Sequence, residues 1–406
     1  MVSGAQLANK TNSGFCIVPF TSLYVENDRI RLCCESEEKT NHRLHNETSI
    51  MDVWNNDFYQ STRRDMLDGK LPSSCRICRL QESSGEQSKR MWENSRADDI
   101  DQFNTIINAG PRNFDVRPSN KCNLECVMCN GIVSSAITKR VREYTGGNYS
   151  KFPIMTVGDW DQSIHITEYI KKNAENVSLL KFSGGEPFLM PEVYDLLESL
   201  STSGHAEHIE LTIITNGTVI RERWFEDHIV KFKKVKINIS IDGTGDVLEY
   251  IRWPSNWNKI VSNLLFLKSL ESNDGRFQLS LGPVLHLLNA LNIHELVRFA
   301  HAHNLNMALG KVFNTNEETW ISTKLLSPEL RAKAVSDFKS ALSDCPDVRL
   351  HLGKGFIFDL ENGEYDPDPK QLAHLQTMVK YWDSHRPVKF LEQFPHLAYL
   401  ITDSKT

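Results

Sequence analysis

The sequence predicts an α/β protein: a partial, TIM-type (β/α)6 barrel, preceded by a small cysteine-rich domain and followed by a helical extension. Three observations predict it. From about residue 112 to residue 313, short β-rich runs alternate with apolar helical periodicities. Eight of the nine cysteines fall in the first third of the chain. Beyond the alternating region come two helical stretches around a turn-rich segment. The expected boundaries are 1–100, 111–315 and 316–406.

Composition sets the outer limits. The chain has 406 residues, 40% hydrophobic and 24% charged, with a formal net charge of -6. That length suits roughly two or three domains, and the composition is that of an ordinary globular protein. No apolar run approaches the roughly 20 residues of a membrane span. Met1-Val2-Ser3-Gly4-Ala5-Gln6-Leu7 lacks the charged region and apolar core of a signal peptide. The expectation is a cytoplasmic protein that engages no membrane. Mild acidity argues against a partner bound by phosphate neutralisation, so no nucleic acid is expected. An odd cysteine count argues against a disulfide framework, and the clustering of the cysteines reads as metal binding. Isolated Cys345 reads as a small buried hydrophobe.

In the first domain, residues from about Phe15 to Cys34 alternate apolar and polar around a turn at Glu26-Asn27-Asp28. This predicts a hairpin with a cysteine at each end. Trp54, Phe58, Arg63, Met66 and Leu67 recur at roughly helical intervals, and Gly69 and Pro72 stop that helix before Cys75-Arg76-Ile77-Cys78. A cysteine pair plus a C-x2-C knuckle offers four thiolates, which suit structural zinc or a fully ligated [4Fe–4S] cluster. The run Trp54, Arg63, Gly69, Pro72, Cys75-x2-Cys78, Glu82, Gly85, Ser88, Arg90 resembles the twitch domain, the one-cluster relative of the SPASM domain of radical S-adenosylmethionine enzymes. The resemblance implies Cys16, Cys33, Cys75 and Cys78 as ligands of an auxiliary [4Fe–4S] cluster. Cys34 competes with Cys33, and residue spacing alone leaves both open; the Ile30-x2-Cys33 spacing resembles the family's more closely, and that resemblance implies Cys33. In familiar members this module follows the barrel; here it precedes it.

The barrel opens with an extended run, Asn113-Phe114-Asp115-Val116-Arg117-Pro118, and then Cys122, Cys126 and Cys129 as C-x3-C-x2-C. Thiolate is the usual ligand of a cubane cluster. Three thiolates leave one of four irons without a protein ligand, the open position of a working site. Cysteine triplets also make zinc sites, so spacing alone leaves both open. The motif resembles the radical S-adenosylmethionine (radical SAM) superfamily, in which the fourth iron chelates the amino and carboxylate groups of S-adenosylmethionine. Met128 stands where the family often has an aromatic residue, and its thioether can pack on an adenine ring.

The strand candidates are Phe114–Val116, Val177–Phe182, Glu210–Thr215, Val235–Ile241, Phe277–Val284 and Met307–Val312. Helical periodicities separate them, such as Val193 to Leu200, Ile260 to Leu270 and Ile293 to Ala300. Repeated β–α units imply a parallel sheet, with functional residues at the carboxyl ends of strands. Polar motifs fall there: Ser183-Gly184-Gly185-Glu186-Pro187, Thr215-Asn216-Gly217 and Ser240-Ile241-Asp242-Gly243. Each alone reads as a strand-ending turn. In order, they resemble radical SAM segments. That resemblance implies Gly184, Gly185 and Glu186 near the methionine amino group, and Asn216, Ser240 and Asp242 as cofactor contacts, the fourth-strand groups near the ribose. Arg252 is a further candidate, for the carboxylate; its plainer reading is a surface arginine stacked on Trp253.

Residues 327–345 and 369–382 read as helices, and Gly353-Lys354-Gly355 lacks the frame of a phosphate loop. The resemblance implies an enzyme in which a flavodoxin or ferredoxin reduces the cluster held by Cys122, Cys126 and Cys129. S-adenosylmethionine is cleaved to a 5′-deoxyadenosyl radical, and the radical abstracts hydrogen from substrate. The auxiliary cluster would aid oxidation or coupling. A peptide or protein side chain is the expected substrate. The alternatives are a nucleotide or aminosugar, or a non-catalytic iron–sulfur or zinc protein.

Overall fold

A computed structural model describes residues 14–26, 29–37, 42–43, 49–83, 85, 87–95, 103–152, 164–272, 274–311, 320–348, 350–352, 360–362 and 365–401. The expectations for Met1–Leu7, the Asn27-Asp28 turn, the last residue of the sixth strand candidate and Gly353-Lys354-Gly355 fall outside the described residues. The fold is α/β, with mostly parallel strands, intervening helices and a helical C-terminal region. It divides into two compact units: 1–119, 160–213 and 222–235 in the first, 120–159, 214–221 and 236–406 in the second.

In the first unit, β1 (Ser22–Glu26) and β2 (Arg29–Arg31) form the expected hairpin, with Val25 opposite Ile30. The hairpin is shorter than its alternation suggested, because Val18–Thr21 closes into a helical turn ahead of it. β3 (His42–Arg43) pairs with β2. β4 (Asn113–Arg117) lies parallel to β1, with Leu23 opposite Phe114 and Val25 opposite Val116. The cysteine segment and the first barrel strand therefore share one sheet. Leu23, Tyr24 and Val25 are all buried in succession, the pattern of a strand covered on both faces. β5 (Leu179–Phe182) and β6 (Glu210–Thr215) continue the parallel set, giving the order β6-β5-β4-β1-β2-β3. Helices Ile164–Lys172 and Pro191–Thr202 bury Ile166, Ile170, Leu196, Leu197 and Leu200 with Leu180, Phe182, Leu211 and Ile213.

The single helix expected near Trp54 is two, Ile50–Trp54 and Asp57–Leu67. Ser49 and Asp52 form a capping box on the first, and the Asn56 side chain caps the second by accepting from the Tyr59 amide. A side chain that caps a new helix start ends the preceding one. Gly69, at φ 76°, turns the chain away afterwards.

In the second unit, helix Ser135–Thr145 starts on Ser134, whose Oγ accepts from the Ile137 amide, and ends at Gly146 in the left-handed region. β7 (Lys234–Ile239) has β8 (Phe277–Leu281) as its neighbour. β9 (Val284–Leu285) and β8 both run parallel to β10 (Asn306–Lys311), which also pairs with β11 (Leu350–Leu352). β11 is a strand that the sequence reading did not place. Helices Pro328–Asp344 and Pro369–Asp383 match the two expected in the extension within a residue at each end. Cys345 is buried, as expected of an isolated thiol. Among the described residues no helix is long and apolar enough to cross a membrane.

Candidate metal centres

The Cys122–Cys129 loop is tied down along its length. Its entry is held by Ser135, whose amide donates to the Asn120 carbonyl at 2.8 Å and whose Oγ accepts from the Cys122 amide at 3.1 Å. Ser134 Oγ donates to the Leu124 carbonyl at 2.7 Å. The Glu125 and Val127 amides donate to the Trp253 and Ile251 carbonyls. Trp320 Nε1 donates to the Val127 carbonyl at 3.2 Å, and Arg386 Nη2 to that of Glu125 at 2.8 Å. Leu124 and Val127 are buried, so the loop turns an apolar edge into the protein. Met128 and Cys129 are half-buried, as is Cys122.

Two of the sulfurs face nitrogen donors. Asn216 Nδ2 lies 3.9 Å from Cys122 Sγ and also donates to Asn123 Oδ1 at 3.0 Å. Arg252 Nη1 lies 3.9 Å from Cys126 Sγ. A hydrogen bond from Cys129 holds Cys126 below the usual thiol range; burial opposes this, and the Arg252 and Arg386 guanidinium groups reinforce it. Cys129, on the donor side of that pair, is pushed well above the range.

Arg252 does not stack on the surface. It is buried, and its Nε stands 2.6 Å from Asp242 Oδ2. The contact is a close ion pair off the hydrogen-bonding line. Burial would strip the Arg252 proton, but Asp242, Cys126 and Cys129 hold it on, and the net shift is upward. Asp242 is 0% exposed and also accepts from the Val284 amide at 2.8 Å. Its carboxylate points to Arg252 and the backbone, which supports the cysteine loop indirectly. Ser240 is half-buried, its amide donating to the Thr215 carbonyl.

The first unit carries two further groups. At the end of β5, Gly184 adopts φ 116°, and a Cβ there would stand 3.1 Å from the Ser119 carbonyl oxygen. The Gly185 amide donates to that same oxygen. Glu186 is fully buried and its Oε1 accepts from the Phe188 amide, so its carboxylate caps the turn at Pro187–Leu189. The turn is built from backbone, which explains the paired glycines.

Cys16, Cys33, Cys75 and Cys78 line one cavity of about 330 Å³, part of it open to solvent, together with Lys89 and Arg90. Cys34 does not line it. Arg90 pairs with Glu82 and donates to the Phe15 carbonyl, and Asn94 bonds Phe15 and Ile17 on either side of Cys16. Arg63, stacked 4.2 Å from the Trp54 ring, donates to the carbonyls of Pro19 and Thr105. Residues Trp54 to Arg90 thus brace the cysteine segments, which gives a mechanical reason for their pattern. Burial pushes the Cys16 and Cys33 thiols up. Burial would also strip Lys89 of its proton, but Cys34, Glu93, Asp115 and Cys33 hold it on. Among the described residues no three His, Cys, Asp or Glu side chains gather tightly enough to hold a single metal ion.

Sequence reasoning missed Lys89, Trp320 and Arg386. None belongs to a spaced motif. Only the His385-Arg386-Pro387 run among aromatic residues offered a cue.

Residues 116–300 match the family model described as "Radical SAM superfamily". No curated protein matches the chain. Among solved structures, SuiB of Streptococcus suis bound to S-adenosylmethionine is 14% identical, with a TM-score of 0.41 over 76% of this chain and 68% of that one. SuiB bound to its precursor peptide SuiA is 14% identical, with a TM-score of 0.40 over 72% and 64%. Native anSMEcpe with bound AdoMet is 16% identical, with a TM-score of 0.41 over 61% and 66%. The chain spans about two thirds of the length of these proteins.

Proposed function

We propose that the chain is a radical S-adenosylmethionine enzyme whose catalytic [4Fe–4S] cluster is held by Cys122, Cys126 and Cys129. The observation that carries this reading is the loop itself. Three thiols lie within eight residues, their backbone is tied on several sides, and two of their sulfurs face donors; the thiols and both donors fall within the matched residues. Donors and positive charge around cluster sulfurs are among the levers that set its potential. When bound, the cluster and S-adenosylmethionine supply a one-electron reductive cleavage that yields a hydrogen-abstracting carbon radical.

The chain's own residues bind and position. Asn216 and Arg252 orient the ligating sulfurs, and Asp242 holds Arg252. The resemblance implies the Gly184-Gly185 turn as a contact for the methionine moiety and Met128 as one for the adenine. Leu124 and Val127 keep water from the back of the loop. Cys16, Cys33, Cys75 and Cys78 hold an auxiliary [4Fe–4S] cluster in this reading, supported by four thiols that line one cavity. The substrate class we infer is a peptide or protein side chain, following the twitch-like pattern, with a flavodoxin or ferredoxin as reductant.

The test is anaerobic reconstitution followed by dithionite and S-adenosylmethionine. The protein should form 5′-deoxyadenosine slowly without substrate. Replacing Cys122, Cys126 and Cys129 together by alanine should abolish it. Full turnover in the triple variant, or a colourless zinc protein, would overturn the reading.

A further inference from the structure

The sequence leaves the role of the C-terminal extension open. Its Arg386 does something more specific. The side chain is 2% exposed and lies against two rings, 4.8 Å from the centroid of Tyr250 and 5.3 Å from that of Trp382. Its guanidinium donates through Nη1 to the Tyr250 carbonyl at 2.6 Å and through Nη2 to the Glu125 carbonyl at 2.8 Å. One planar group therefore ties together two strands of chain. Glu125 directly precedes Cys126. Tyr250 leads into Ile251, Arg252 and Trp253, the segment whose carbonyls receive the loop's amides and whose arginine reaches Cys126 Sγ.

The turn that presents Arg386 is itself fixed. Its amide donates to the Trp382 carbonyl, Lys389 Nζ donates to the Asp383 and Arg386 carbonyls, and the Phe390 amide donates to Asp383 Oδ1. Beside it, His385 Nε2 stands 3.2 Å from Glu125 Oε2. A fork with two parallel donors suits this bridging, where an ammonium offers a single point.

We propose that Arg386 is a positioning residue for the cluster site, clamping the Cys122–Cys129 loop to the Tyr250–Trp253 segment and so setting the contact between Arg252 and Cys126. This rests on the cluster reading above. Arg386 makes no hydrogen bond to a cysteine sulfur; its fork acts through the two carbonyls, apart from the charge it shares with Arg252 near Cys126. Partners one step removed from metal ligands commonly change affinity 10–100-fold when lost.

The test uses the full chain as wild type, R386M and R386K, reconstituted anaerobically. The readouts are iron content, the electron paramagnetic resonance signal of the dithionite-reduced protein with and without S-adenosylmethionine, and the midpoint potential. The Cys122/Cys126/Cys129 alanine variant assigns the triplet signal. In soluble R386M the triplet signal should fall severalfold, and what remains should be broadened and shifted in potential, while the other cluster stays. R386K, with its charge kept but its fork lost, should fall between. Wild-type iron, signal and potential in R386M would overturn the clamp, even with a lowered Tm. If R386M is insoluble, an R386K protein identical to wild type in signal and potential overturns it equally. A wild type with no triplet signal at all would instead sink the cluster reading.

Discussion

His286 shows how one side chain can set an acid limit on this fold. It follows β9, is 1% exposed, and its Nδ1 accepts from the Leu288 amide at 3.1 Å. The other nitrogen must then carry the proton, and Nε2 is buried without a hydrogen-bond partner among the described residues. Burial pushes its pKa from 6.5 down to about 4; Asp242 opposes the shift and Arg252 adds to it. Above pH 6.5 neither the folded nor the unfolded chain binds this proton. As pH falls below that value the unfolded chain takes it up and the folded chain refuses it, so stability drops until about pH 4. The full loss is about 3 kcal/mol. Denaturant unfolding at several pH values should give wild type a steeper decline between pH 6.5 and 4 than H286Q. Parallel acid limbs in the two proteins would refute the assignment.

Among the elements, local periodicity carried the strands and long helices, while long-range pairing was invisible to it. β6 was read at its observed bounds, and β4, β7 and β10 within a residue or two at their described ends. The parallel pairing of β1 with β4 joins residues about ninety positions apart, such as Ser22 and Asn113. A side-chain period of two fixes which face is buried, not which strand lies alongside. β11 is three residues long, too short to show a period. At the site, the cysteines and strand-end turns were legible because chemistry demands those residue types. Asp242 and Arg252 were legible as polar residues at and after a strand end, but their burial against each other was not. The choice between adjacent Cys33 and Cys34 belongs at this scale, since it depends on how β2 ends. The chain past Arg31 turns Cys33 into the cavity with Cys16, Cys75 and Cys78. Metal analysis of single variants should show C33A losing the N-terminal site's metal and C34A keeping it. The reverse result would reassign the ligand.

Across the whole molecule, the two cysteine sets belong to different compact units: four thiols in the first, the C-x3-C-x2-C loop in the second. Each loop has its own supports, Arg63, Arg90 and Asn94 for one, Trp253, Trp320 and Arg386 for the other. Two sites with no shared ligand should fill and empty separately. Wild type should therefore bind about eight irons as two cubanes, and C75A/C78A about four. One zinc beside about four irons in wild type would make the N-terminal site structural zinc. The double variant also separates chemistry from architecture. If the auxiliary cluster accepts the substrate's electron, C75A/C78A should still cleave S-adenosylmethionine to 5′-deoxyadenosine yet release no finished product. Because β1 pairs with β4, an emptied cysteine cavity also weakens the edge on which that barrel strand lies, and metal binding at such sites is often folding free energy. A fall in Tm is expected for that reason alone, so the deciding ratio is product to 5′-deoxyadenosine. A ratio equal to wild type would leave the N-terminal site no part in turnover.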